Sequence, residues 1–137
     1  ANGFAIRNQI IWAKNHHVMG FARYKGQHEI IFYCHQQNEQ DPWYGDKKQT
    51  TLWTIPKPAR NKLHPTMKPI ALIEKALNNS SKKDDIVLDL CGGSGSTLMA
   101  CEKLGRAARL MEIEPQYVDI IVERWQKHTS CKAVLLE

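Results

Sequence analysis

The stretch DIVLDLCGGSGSTLMACEKLG, Asp85 to Gly105, constrains this 137-residue chain more than any other. Ile86 to Leu90 is an apolar run of strand formers that carries an acid, Asp89, near its end. Three glycines, Gly92, Gly93 and Gly95, then fall within four positions. From Ser96 the pattern turns helical, and Gly105 stops it. Glycines so placed serve a tight turn or a backbone that a ligand approaches closely.

The same alternation continues on both sides. Upstream, IALIEKALNNS spaces Ile70, Ile73, Ala76 and Leu77 as a helical stripe, with Pro69 suited to its first turn. Downstream, Ala107 to Ile113 reads as a strand. Glu114 to His128 reads as a helix with Tyr117, Ile120, Ile121 and Trp125 on one side. Helix, strand, helix, strand, helix predicts an α/β fold with parallel strands.

Glu112 follows Gly92 by twenty positions, at the end of the second strand. A carboxylate there can accept hydrogen bonds from the hydroxyls of a ribose, so the ligand indicated is nucleoside-bearing. No Gly-Lys-Ser/Thr closes the turn, which excludes a P-loop. A dinucleotide site is nearly matched but lacks its third glycine, since Leu98 stands there. Asp89 would repel a pyrophosphate and suits a cationic or amino-bearing ligand. S-adenosylmethionine, with a sulfonium and an ammonium, meets both conditions. A glycine turn without any ligand is the bland alternative. A second, stiff segment precedes the helix at Ile70: His64, Pro65, Thr66, Lys68 and Pro69, whose prolines hold the entering chain extended.

The front of the chain differs. Asn8 to Lys14 and His28 to His35 read as strands, and Thr50 to Ile55 as a short one. Polar loops separate them. Residues 1–68 hold ten Lys or Arg against four acids, whereas residues 69–137 hold nine against ten. A basic front beside a neutral back suggests a polyanion at the front. Lys14, Arg23, Lys25, Lys47, Lys48, Arg60 and Lys62 are the candidate phosphate contacts. No run of eighteen apolar residues exists to span a membrane. Cys34, Cys91, Cys101 and Cys131 fit neither zinc spacing nor a disulfide framework, so reduced thiols, no metal and a cytoplasmic setting are expected. His16 and His17 read as loop residues.

In this order the motifs resemble the bacterial and phage DNA amino-methyltransferases of permuted "beta" order, which methylate adenine N6 or cytosine N4. HPTMKP is similar to that family's segment lining the methionine end of the cofactor. DLCGGSGST is similar to its cofactor loop, and MEIEPQY to the stretch bearing the ribose-binding acid, Glu112. IIWAKN, HEIIFY and TTLW resemble its later strands. The resemblance implies a Rossmann-like, S-adenosylmethionine-dependent methyltransferase fold. The cofactor would be held by Asp89, Cys91, Gly92, Gly93, Gly95, Ser96, Glu112, His64, Pro65, Thr66 and Lys68, and the substrate would be double-stranded DNA. Residues 1–63 would supply late strands and target-facing loops, and residues 64–137 the cofactor-binding segment. This sequence departs at Leu90 and Cys91, where Pro-Phe is usual, and at Leu110, where glycine is usual.

The family's catalytic Asn/Asp/Ser-Pro-Pro-aromatic motif has no counterpart before Asn8. DPWY, Asp41 to Tyr44, comes nearest, but Trp43 replaces the second proline and the stretch lies in a polar loop. Asp41, Trp43 and Tyr44 are therefore read as a DNA-facing loop before a catalytic one. The expected fold is partial, lacking the strand that carries that motif. A second copy, or a chain bearing the missing N-terminal portion, is the expected partner. A non-catalytic module that binds cofactor or DNA beside such a partner is the alternative, and a nicotinamide dehydrogenase fragment is a third, weaker reading.

Overall fold

A computed structural model describes residues 3–40, 42–57 and 67–136. The chain divides into two compact units, residues 1–57 with 78–81, and residues 58–77 with 82–137.

The first unit is a three-stranded sheet in the order β2-β1-β3. β1 (Phe4–Ala13) and β2 (His28–Gln36) form an antiparallel hairpin, with a bulge between Ile6 and Asn8. β3 (Leu52–Thr54) lies parallel to β1 and sets Trp53 beside Trp12. These two indoles are the core of the unit, 1% and 4% exposed. Each ring buries a large apolar body while its N–H needs an acceptor. Trp12 Nε1 donates to the Ile55 carbonyl at 2.7 Å, and Trp53 Nε1 to that of Thr50 at 2.9 Å. β1 starts four residues earlier than the apolar run predicts, because Phe4 to Ile6 pair with β2 despite their exposure.

The second unit is a β-α-β-α series. α1 (Ile70–Ser80) enters it, and its last residues, 78–80, belong to the first unit. β4 (Ile86–Asp89) and β5 (Ala107–Leu110) pair in parallel, joined by α2 (Ser96–Leu104) and followed by α3 (Pro115–Thr129). Parallel pairing follows from the helical crossover, which returns the chain to the same end of the sheet. Leu77, Ala100 and Cys101 form the buried centre, with Ile70, Ile73, Val87, Leu104 and Ala108 against it. Alternation along β4 turns Val87 to this centre and leaves Ile86 and Leu88 exposed. β5 stops at Leu110 rather than Ile113. The Met111 carbonyl accepts from the Gly92 N–H at 2.8 Å, which ends the ladder at the glycine loop.

Among the described residues no helix is long and apolar enough to cross a membrane.

Candidate cofactor site

The site lies in the second unit, at the carboxyl ends of β4 and β5, where parallel α/β sheets present ligands. Its floor is the turn from Cys91 to Gly95. Gly92 is buried, and a Cβ there would lie 3.1 Å from Leu110 Cδ2 and 3.4 Å from Ile121 Cδ1. Gly95 has φ of 81° and a Cβ would meet Ile121 Cγ1 at 3.1 Å. Gly92 thus makes room for Leu110 of β5, and Gly95 for Ile121 of α3. The close approach that the sequence assigns to a ligand is, at these two positions, an approach of the protein to itself. Gly93 also has positive φ, 54°, a conformation that favours glycine.

Two carboxylates brace this turn. Asp89 Oδ1 accepts from the Cys91 N–H at 3.0 Å, and its Oδ2 accepts from the Thr97 hydroxyl at 2.6 Å. Glu112 Oε2 accepts from the Gly93 N–H at 2.7 Å, and its Oε1 from the Glu114 N–H at 3.0 Å. Short, charge-assisted bonds of this kind are the strong ones. On the other flank the Arg124 guanidinium donates to the Ser94 carbonyl. Burial pulls Arg124 below its ordinary pKa, but a guanidinium keeps its charge throughout the neutral range.

Ser96 is buried, and its hydroxyl donates to the Lys68 carbonyl at 2.9 Å. This bond ties the start of α2 to Lys68, in the segment leading into α1. Between them opens a cavity of about 310 Å³, at the lower end of the range of about 300–1,000 Å³ for small-molecule sites. Met67, Lys68 and Ile73 line one side, and Asp89, Cys91, Gly92, Gly93, Ser94, Ser96 and Thr97 the other.

The structure therefore gathers Lys68, Asp89, Cys91, Gly92, Gly93 and Ser96 around one cavity. Gly95 and Glu112 act on the loop from outside that lining. His64, Pro65 and Thr66 lie outside the described residues. Met67, Ile73, Ser94 and Thr97 line the cavity without having been among the expected site residues. Thr97 was legible as a hydroxyl in the first turn of a helix whose preceding strand ends in an acid.

Five of the basic candidates, Lys14, Arg23, Lys25, Lys47 and Lys48, lie in the first unit. Arg23 and Lys25 are exposed on the loop after β1, and Lys47 and Lys48 on a turn held by Asp46, whose Oδ1 accepts from the Lys48 N–H at 2.7 Å. Lys14 departs from the expectation. It is 5% exposed, pairs with Glu29 at 2.8 Å and sits over the Trp12 ring at 5.4 Å, so its ammonium is spent inside the protein. Trp43 packs edge-on against Tyr33, with ring centroids 6.1 Å apart, and Tyr44 donates its N–H to the Asn79 carbonyl. Asp41, Arg60 and Lys62 lie outside the described residues.

The fold has counterparts among solved structures. A structure of M1.HpyAVI in complex with SAM is 31% identical, with a TM-score of 0.78, over 90% of this chain and 63% of that one. The fold is the Rossmann-like α/β fold of S-adenosylmethionine-dependent methyltransferases. Among curated proteins, the type II methyltransferase M2.MboI of Moraxella bovis is 29% identical over 93% of this chain and 52% of its own. M.HinfI of Haemophilus influenzae is 28% identical over 88% and 39%. The chain thus spans about half the length, or less, of these curated relatives. Residues 1–123 match the DNA methylase family model, N6_N4_Mtase; the chain belongs to that family.

Proposed function

We propose that the cavity binds S-adenosylmethionine and that the chain is the cofactor-binding part of a DNA amino-methyltransferase. The observation that carries this reading is the pair of braced carboxylates at adjacent strand ends. Each Asp89 oxygen accepts one bond in the protein and has a second acceptor site, which suits an ammonium. Glu112, held to Gly93, suits ribose hydroxyls. The residues fit the cofactor's charge, and none of the lining requires a phosphate. When bound, the cofactor supplies an electrophilic methyl on a sulfonium. The chain's own part is to bind and orient it. Asp89 sets the charge, Ser96 with the Lys68 carbonyl fixes the wall, and Gly92 and Gly93 hold the turn. Lys68, Asp89, Cys91, Gly92, Gly93, Gly95, Ser96 and Glu112, with His64, Pro65 and Thr66, are the proposed cofactor residues. Adenine N6 is the proposed acceptor, as the commoner activity of the family the motifs resemble.

The activity needs more polypeptide than these 137 residues. β4 pairs only with β5 among the described residues, and its Ile86 and Leu88 are 69% and 64% exposed. Parallel sheets are ordinarily covered on both faces, and two strands are seldom stable alone. A further segment, on this or another chain, would cover that face and bring the catalytic motif.

Calorimetric titration with S-adenosylhomocysteine and with NAD tests the cofactor. Binding of the first and not the second is expected, and the reverse overturns the reading. Methyl transfer to DNA by this chain alone is expected to be negligible. Robust transfer would refute the need for a further segment and return Trp43 and Tyr44 to consideration.

A further inference from the structure

The segment joining β1 to β2 carries chemistry that the cofactor site does not use. Lys14 donates its N–H to the Gln27 carbonyl and Val18 to that of Gly26, each at 2.8 Å. The chain therefore continues past the last strand pair, Ala13 with His28, as a narrow arm. The Lys25 ammonium closes its tip on the Gly20 carbonyl. On that tip Phe21 and Tyr24, at 109% and 94%, are the two most exposed large hydrophobic side chains among the described residues, and Met19 is 82% exposed. Neither ring has a place in the core of the unit, which is built on Trp12 and Trp53.

The charges around these rings identify the occupant. No Asp or Glu occurs from Lys14 to Gln27, and the tip reads Phe-Ala-Arg-Tyr-Lys, with Arg23 and Lys25 interleaved with the rings. Lys14 is occupied by Glu29, which leaves Arg23 and Lys25 as the cations presented with the rings. An apolar protein pocket would match the rings but gain little from the cations. Stacked bases beside phosphates match both. We propose that this arm contacts DNA, with the Phe21 and Tyr24 rings stacking on or wedging between bases and with Arg23 and Lys25 on the flanking phosphates. A wedge of this kind acts where a base step opens, and it is favoured most where pairing is already broken. The proposal rests on the reading of the chain as part of a DNA methyltransferase, and its test separates the two.

The test is fluorescence anisotropy of the 137-residue chain with a labelled duplex, the same duplex with a central mismatch, and the single strand, across a salt series. The Phe21→Ala/Tyr24→Ala variant is expected to lose about tenfold or more in affinity for the mismatched and single-stranded probes. Its salt slope should be unchanged. Arg23→Gln/Lys25→Gln should weaken all three probes and lower the slope by about two. A 2-aminopurine placed at the mismatch should be quenched by the native chain and by Phe21→Trp, and not by the double alanine variant. Because both rings are exposed, thermal melting should not change. Native affinity of the ring variant for every probe overturns the proposal. So does a change confined to sedimentation, which would make the tip a protein contact. Titration of the same samples with S-adenosylhomocysteine separates the two readings. Cofactor binding without ring-dependent DNA binding removes the arm alone. Ring-dependent DNA binding without cofactor binding leaves the arm and removes the cofactor site.

Discussion

The Thr97 hydroxyl donates to Asp89 Oδ2 at 2.6 Å, joining the first turn of α2 to the end of β4 across the glycine loop. Asp89 is thereby aimed by a buried partner. Thr97→Val should lower affinity for S-adenosylhomocysteine and cost about 1.5–3 kcal/mol of stability, as expected for a hydrogen bond to a charged group. Thr97→Ser should retain both. Adenosine, which has no amino acid end, should bind Thr97→Val nearly as it binds the native chain. An equal loss for both ligands would show that Thr97 supports the loop and does not position Asp89. Calorimetry with the two ligands measures the difference.

Gly95 and Ile121 form the second testable contact. A methyl group at residue 95 meets Ile121 at 3.1 Å on a backbone with φ of 81°. Gly95→Ala should therefore destabilise the chain by about 1–3 kcal/mol, combining left-handed strain with overpacking. Ile121→Val in the Gly95→Ala background should cost less than it does alone, because the two residues compete for one space. Urea midpoints of the four proteins check the coupling; strict additivity would contradict the contact.

Lys14 separates structure from DNA binding. Lys14→Met removes a buried ammonium's ion pair with Glu29 and its contact with the Trp12 ring, and should cost about 1–3 kcal/mol of stability. The salt slope for DNA should stay the same, since the Lys14 ammonium is committed to Glu29. A shallower slope would restore it to the DNA face.

The four thiols should divide three to one. Cys34, Cys91 and Cys131 are exposed and Cys101 is fully buried. Ellman's reagent at mildly alkaline pH should modify three quickly and the fourth only on unfolding. Burial pushes the Cys101 thiol up, Arg106 opposes this and Asp89 adds to it. With the folded pKa raised, the contribution of Cys101 to stability is whole below the ordinary thiol range. It declines above that range, where the unfolded chain ionises first. The urea midpoint should fall as pH rises through that window, and the fall should be smaller in Cys101→Ala.

Much of this was legible beforehand because it is local. The helix α1 begins at Ile70, where its stripe does, and runs three residues past the stripe's last member, Leu77, to Ser80; α2 begins at Ser96 as expected. Pro115 opens α3 with Glu114 at its N-cap position. Helical periodicity and glycine punctuation are carried by neighbouring residues, so they survive without tertiary context. Strand ends were less legible. β5 lost Met111 to Ile113 because the Met111 carbonyl is claimed by Gly92, nineteen residues away in sequence.

The sequence by itself determined the parallel α/β order, the glycine turn between strand and helix, and the two acids at the strand ends. Each depends on spacing along the chain. Only the tertiary structure decided what those groups touch. It set Gly92 against Leu110 and Gly95 against Ile121, locked Asp89 to Thr97 and Glu112 to Gly93, and buried Lys14 against Glu29 and Trp12. The physical reason is that a charge or a glycine has no fixed role in sequence. Its partner is whichever group packing brings within hydrogen-bond or van der Waals reach, and that group comes from another element.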